Sequence, residues 1–450
     1  MSTDAVAPSR GDRPLTTKEM LASVPGLGRW RRRVFAATWI AYASYYFVRE
    51  APSVAKLGIL DDPSVNHVLT SHALGVMDAI YLAAYAAGQF LWGAVADRVG
   101  PRVMVIGGML TSIAAACVMG LSSTALVFGA AMLILGLGQS TGWAPLCKNV
   151  SSFFTVKERG RVLGLWSTNY AFGGLASVPF LGWVAYSVFD SWHAALFTGA
   201  LVMAVVLLVF VVLQRNSPEA VGLPGIADAE AGRTAPAGDA PAVTAGRGAA
   251  PPKKGVRETL GDPMVRVLGA AYFLLKPARY AILLWGPVLV SERLPQVDKV
   301  SATAIPIAFG VTGCLAPSLI GWLSDKRFGS RRVPPAVLSL VALTIVLLLF
   351  MPLTATHSVT LMMLLLGAMG LTVYAADSMI SCTAAVDFGT SDRAGTAAGV
   401  VNGCGSVGAI LGGLLPGFVS GTALFYGFAG AALLAAVILL PRWNQVARTA

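Results

Sequence analysis

Gly93–Arg102 reads GAVADRVGPR and Gly321–Arg332 reads GWLSDKRFGSRR, two short basic turns set between apolar runs. Asp97 and Asp325 stand 325 − 97 = 228 positions apart. A second pair of features repeats at nearly the same spacing: IAYASYYFVREAPSVA at Ile40–Ala55 holds Arg49 inside an apolar run, and FLLKPARYAILLW at Phe273–Trp285 holds Arg279 inside another, 279 − 49 = 230 positions on. Such a chain has two similar halves. Parallel repeats related by an axis along the membrane normal place their first helices opposite each other across a central cavity. Arg49 and Arg279 are therefore expected to face one another.

The membrane follows from composition. Of 450 residues 56% are hydrophobic and 12% charged, and the mean hydropathy is +0.69, too apolar for a water-soluble chain of this length. Twelve runs near the roughly 20 residues that cross a bilayer recur, at 34–60, 69–96, 103–121, 125–153, 162–189, 194–213, 265–290, 302–324, 334–353, 359–386, 394–419 and 423–440. Barrel strands are about half that length and alternate in polarity, so helices are expected. Between the sixth and seventh runs, Gln214–Asp262 is rich in Ala, Gly and Pro without apolar periodicity and reads as a flexible linker. The expected fold class is an all-α polytopic membrane protein with twelve transmembrane helices in two six-helix pseudo-repeats. Its parts are an N-terminal segment (1–33, polar and mobile at least to Gly28), a first half (34–213), the linker (214–262), a second half (263–441) and a tail (442–450).

The net charge of +11 does not imply nucleic acid, because the basic residues sit in short loops between spans. Arg29 and Arg31–Arg33, Arg98 and Arg102, Lys157, Arg159 and Arg161, Lys326, Arg327, Arg331 and Arg332, Arg393, and Arg442 all fall on one side. The opposite loops carry Asp61, Asp62 and Asp190, with basic residues only at Arg293 and Lys299. The positive-inside rule then puts both termini in the cytoplasm. No cleavable signal is read in the first 33 residues, and the five cysteines fall in apolar runs without metal-ligand spacing. No metal or cofactor is expected.

A charge at bilayer depth costs roughly 2.5 kcal/mol or more, so Arg49 must face protein, water or a ligand. Tyr42, Tyr45 and Tyr46 precede it by seven, four and three residues, which lays phenol groups along the same helix face. Two guanidinium forks suit a phosphate, and a carboxylate or sulfate too. Pairing of Arg49 with Glu50 or another helix is the alternative, although Glu50, two residues before Pro52, is expected to tilt away from the cavity. Lys276 lies one turn before Arg279, with Tyr272 four residues earlier, and a kink at Pro277 brings both basic groups to the cavity. Asp78 and Asp377 are the remaining membrane carboxylates considered: counterions for Lys276 and Arg279, ligands for a substrate amino group, or proton carriers. The four histidines lie near span ends, away from any midplane relay. No phosphate loop or paired nucleophile and base appears, so an enzyme is not expected.

The repeated Gly-x-x-x-Asp-Arg/Lys-x-x-Gly-x-Arg turn resembles the signature of the major facilitator superfamily, in which Gly93, Asp97 and Arg98, and Gly321, Asp325 and Lys326, would serve close helix approach and gating. Further stretches resemble the organophosphate:phosphate antiporter family of glycerol-3-phosphate and hexose-phosphate exchangers: Tyr42–Ala55, GWAPLCK at Gly142–Lys148, KERGRVLGLW at Lys157–Trp166, SWHAALF at Ser191–Phe197, ARYAILLWGP at Ala278–Pro287, and Ala394–Gly413. The resemblance implies that Arg49 and Arg279 bind the substrate phosphate. It implies a monomer in a bacterial-type inner membrane, alternating access, and exchange of a small phosphorylated or phosphonate anion for inorganic phosphate. The chain departs from the family at Gln89, where some members have lysine, and at Tyr170, where some have histidine. With Asp78 and Lys276 added, these changes suit a zwitterionic phosphonate or phosphoester. Proton-coupled symport of another organic anion and a transporter-like sugar-phosphate sensor are the alternatives.

Overall fold

The computed structural model describes residues 16–230, 261–329, 331–384 and 394–444. Among them all regular structure is helical. The long helices are α1 (Leu27–Asp61), α2 (Ser71–Val99), α3 (Pro101–Leu121), α4 (Ala125–Gln139, resuming at Trp143–Ser152), α5 (Thr168–Trp183, preceded by Val156–Trp166) and α6 (Trp192–Leu213). The second half repeats them as α7 (Pro263–Arg293), α8 (Ile307–Phe328, preceded by Lys299–Ala304), α9 (Val333–Thr354), α10 (Val359–Asp377), α11 (Ala394–Leu414) and α12 (Gly421–Leu439). Ten of the helices, α3 to α12, are long and apolar enough to cross a membrane. Helix α1, at 35 residues, has the length as well, roughly 52 Å at 1.5 Å per residue, but carries Arg49, Glu50 and Lys56. Helix α2 has 29 residues and carries Asp78.

Helix ends follow local chemistry. Gly100 at φ 86° precedes Pro101, which opens α3, and Gly329 at φ 56° closes α8 in the left-handed conformation that glycine adopts without strain. The expected mobile N-terminal segment contains structure: Thr16 and Glu19 form a reciprocal capping box on a short helix, Thr17–Ser23. Met20, Val24 and Leu27 then pack with Ile226 and Ala229 of a second short helix, Ile226–Glu230, so part of the expected linker is ordered too. The remainder of that linker, 231–260, lies outside the described residues.

The pseudo-repeat is visible in the packing. Gly173 of α5 lies against the Ala43 carbonyl of α1, and Gly408 of α11 lies against the Phe273 carbonyl of α7. Ala43 and Phe273 are 273 − 43 = 230 positions apart, the same offset as the two arginines. In lipid, helix association relies on close van der Waals contact, and small residues permit it.

At the end of the bundle away from the chain termini the two halves meet. Lys56 of α1 and Asp78 of α2 form a fully buried ion pair at 2.5 Å, and the same ammonium donates to the Leu284 carbonyl of α7 at 3.0 Å. Trp285 lies beneath it, 4.4 Å from ring centroid to Nζ, and donates to the Gly413 carbonyl of α11. Ser53 of α1 donates to the Leu283 carbonyl, and the Gly75 backbone of α2 lies against Leu414 and Gly417. At the rim, Lys299 pairs with Asp61 at 2.8 Å.

Two predictions follow from this packing. Gly173→Val and Gly408→Val each force a side chain into a neighbouring backbone and should cost about 1–3 kcal/mol, whereas Gly427→Val, with nothing within 4 Å of its Cβ position, should leave melting in nanodiscs unchanged. Equal melting of all three would contradict the close crossings. Lys56→Met strands a buried carboxylate and should destabilise by about 3–5 kcal/mol, and adding Asp78→Leu should recover most of the loss. A double variant no more stable than the single one would show that the ion pair is not the cause.

Candidate functional site

Arg49 and Arg279 line one cavity between the halves, together with six tyrosines: Tyr46, Tyr81, Tyr85, Tyr170, Tyr280 and Tyr374. A contiguous space shares Tyr170, Arg279 and Tyr374 with it and continues past Lys276 and Asp377 to Asp325 and Arg332, near the end where the chain termini lie. The site is thus closed by the Lys56 layer at one end and approached from the other.

The two arginines differ in their surroundings. Arg49 has no carboxylate partner among the described residues: its Nε donates to Gln139 Oε1 at 3.4 Å, its Nη2 has no hydrogen-bond partner, and its guanidinium lies 4.7 Å from the Tyr46 ring and 5.1 Å from the Tyr85 ring. Gln139 is the last residue of the first segment of α4. Arg279, by contrast, is held by Asp377 at 3.1 Å and stacks 4.2 Å from Tyr374. Lys276 takes the other oxygen of Asp377 at 3.2 Å, and Tyr272 donates to the same atom at 2.9 Å. One carboxylate therefore serves two cations, leaving a net positive charge on that wall as well.

Asp377 is thus the counterion of both Lys276 and Arg279, one of the roles open to it from the sequence. Asp78 is not: it pairs with Lys56, sealed from the cavity, because the ammonium one turn below Pro52 points between α2 and α7. Tyr42 and Tyr45 also stand apart from the cavity lining. Tyr45 is fully buried with its hydroxyl on the Val105 carbonyl and Thr141, and Tyr42 packs among Tyr45, Tyr46, Trp143 and Trp166. Tyr46 and Tyr85 turn their rings to Arg49, and the Tyr42 hydroxyl also lies near its guanidinium. Gln89 is exposed and lies outside the cavity lining, and Tyr170 belongs to it. Glu50, expected to tilt away, instead lines the cavity.

The turn motif is described in the second half only. Asp325 accepts from Arg332 at 2.8 Å, Lys326 lies 4.9 Å from the Trp322 ring, and Gly321 has nothing among the described residues within 4 Å of its Cβ position. The side chains of Gly93, Asp97 and Arg98 lie outside the described residues.

Sequence reasoning missed Lys56, Gln139, Tyr81, Tyr85 and Tyr374. Lys56 had a signal, a basic residue seven positions beyond Arg49 in an apolar run. The tyrosines had a weaker one, since Tyr81 and Tyr85 are spaced by one helical turn but only the packing shows which way that face turns.

Comparison with known proteins agrees with this architecture. The family model of the Major Facilitator Superfamily matches residues 34–413 and 296–447. The chain is 26% identical over 432 residues to the glycerol-3-phosphate transporter of Bacillus subtilis (92% of this chain, 93% of that protein). It is 25% identical over 427 residues to a probable hexose phosphate transport protein of Chlamydia trachomatis (92% and 91%). It is also 28% identical over 309 residues to the membrane sensor protein UhpC of Salmonella typhimurium, covering 68% of this chain and 66% of that protein. Among solved structures, a bacterial homolog of the human lysosomal transporter Spinster, inward-facing and unoccupied, superposes with a TM-score of 0.65 at 14% identity, covering 92% of this chain and 95% of that one. With the family model spanning nearly the whole chain and twelve long helices among the described residues arranged as two similar halves, the protein belongs to the major facilitator superfamily and is an integral membrane protein of a transporter family rather than an enzyme.

Proposed function

We propose that the chain carries a small phosphorylated or phosphonate organic anion across the inner membrane in exchange for inorganic phosphate, with both termini in the cytoplasm. The observation that carries this reading is the unneutralised Arg49 facing a cavity whose other wall holds Arg279 and Lys276 against a single carboxylate. A guanidinium fork offers a phosphate two parallel, charge-assisted hydrogen bonds, and the low-dielectric, tyrosine-lined wall strengthens them. The phosphate-transporting names of two relatives support the same class.

Exchange follows from the charges. Moving the empty carrier requires turning three cations, Arg49, Arg279 and Lys276, against two carboxylates, Glu50 and Asp377, through a low-dielectric barrier, and a bound anion answers the excess of positive charge. With both termini in the cytoplasm, as proposed, the closed Lys56 layer and the access from the terminal end correspond to an inward-open state. Rocking of the halves about the midplane then requires the Lys56 ammonium to leave the Leu284 carbonyl.

Proton-coupled uptake is the second reading, favoured by one feature: Asp377 can release Arg279 and Lys276 to the substrate by taking a proton. Proteoliposomes loaded with inorganic phosphate separate the two. Exchange predicts phosphate uptake that needs internal phosphate, is indifferent to a pH gradient, and falls at least tenfold in Arg49→Lys and Arg279→Lys, which keep the charge and lose the fork. Uptake into unloaded vesicles driven by a proton gradient would support the second reading. Organophosphate binding without flux would overturn both in favour of a sensor.

A further inference from the structure

The cavity leaves a second charge without a partner, and it is of the opposite sign. Glu50 follows Arg49 on α1, so its side chain leaves the helix about 100° around from the arginine, and the two do not pair. It is 5% exposed and lines the cavity; its Oε2 has no hydrogen-bond partner, and no ion pair among the described residues includes it. Lys56, the next basic residue along α1, is committed to Asp78 and to the Leu284 carbonyl. Lys276 and Arg279 are committed to Asp377.

Without an ion pair or a hydrogen bond to Oε2, a buried carboxylate is costly to keep ionised, and a ligand ammonium is what would hold its charge in place of a proton. The chain therefore presents one open guanidinium and one open carboxylate, adjacent in sequence, to the same enclosed space. Around them the wall is built of tyrosines: Tyr46 and Tyr85 stack on Arg49, Tyr280 lies near Lys276, and Tyr81 completes the lining beside Glu50. A purely anionic ester such as a sugar phosphate answers Arg49 but gives Glu50 nothing. A second anionic group near Glu50 is repelled.

We infer that the organic substrate is zwitterionic: a phosphate or phosphonate that binds Arg49 and, a few bonds away, an ammonium that binds Glu50 among the tyrosines. The inference rests on the phosphate-carrier reading and narrows its substrate. Glu50 thereby becomes the residue that selects among organophosphates. It also accounts for a carboxylate beside the arginine proposed to bind phosphate.

The test uses phosphate-loaded proteoliposomes and inhibition of phosphate uptake by two esters of nearly equal size, 2-aminoethyl phosphate and n-propyl phosphate. Intact protein should be inhibited at least tenfold more tightly by the amino ester. In Glu50→Gln the ratio of the two inhibition constants should fall to within about twofold of unity, and in Glu50→Asp an intermediate preference should remain. Because the ratio is the readout, a change in overall transport rate does not affect it. Equal inhibition of the intact protein by both esters would overturn the inference while leaving the phosphate reading standing, as would a preference that survives in Glu50→Gln. Absence of phosphate exchange in the intact protein would overturn the phosphate reading, and this inference with it.

Discussion

The arrangement of this protein depends on how buried charge is answered inside an apolar bundle. Each charged side chain at membrane depth must find a partner of opposite sign, a carbonyl, an aromatic face or a ligand. Lys56 finds Asp78 and Leu284, and in doing so joins the two halves at one end. Lys276 and Arg279 share Asp377. Arg49 and Glu50 find no oppositely charged partner among the described residues, and both line the cavity. Satisfied charges make the scaffold and unsatisfied ones mark the site.

The duplication of the fold makes that division asymmetric. Tyr46 and Lys276 occupy equivalent positions, as do Arg49 and Arg279, since each pair is 230 positions apart. One half therefore surrounds its arginine with rings, and the other adds a second cation with Asp377 to balance it. Two related helices thus supply a strong fixed cation and a tunable one to the same space. In the proposed cycle, rocking one half against the other would keep both near a substrate held at the midplane while access switches ends. The closure at the distal end is polar as well as packed, so opening it requires exchanging the carbonyl bond of Lys56 for another partner.

The fold was legible in the sequence because lipid permits few alternatives. Long apolar runs must be helices, and the two repeated turns and two repeated arginines disclosed the halves and the facing pair. Bounds of most spans were legible to within a few residues, although α1 starts earlier, at Leu27, because the arginines before it are good helix formers. The cations of the cavity were legible, the directions of its side chains less so. Tyr45 and Tyr46 are neighbours on one helix, yet one reaches the Val105 carbonyl and the other the cavity, a difference set by how α1 is rotated against α3 and α4. The same rotation turned Glu50 inward despite Pro52 and directed Asp78 to Lys56. Helical spacing says which residues share a face; only tertiary packing says what that face meets.

The central claim is that a tetrahedral oxyanion binds between Arg49 and Arg279. Tungstate, an electron-dense tetrahedral oxyanion, can be located directly by electron cryomicroscopy of the intact protein in nanodiscs. The account predicts strong density within hydrogen-bonding reach of the Arg49 guanidinium on the side facing Arg279, displaced by excess inorganic phosphate. Density confined to surface basic clusters such as Lys326 and Arg331, with an empty central cavity, would contradict it.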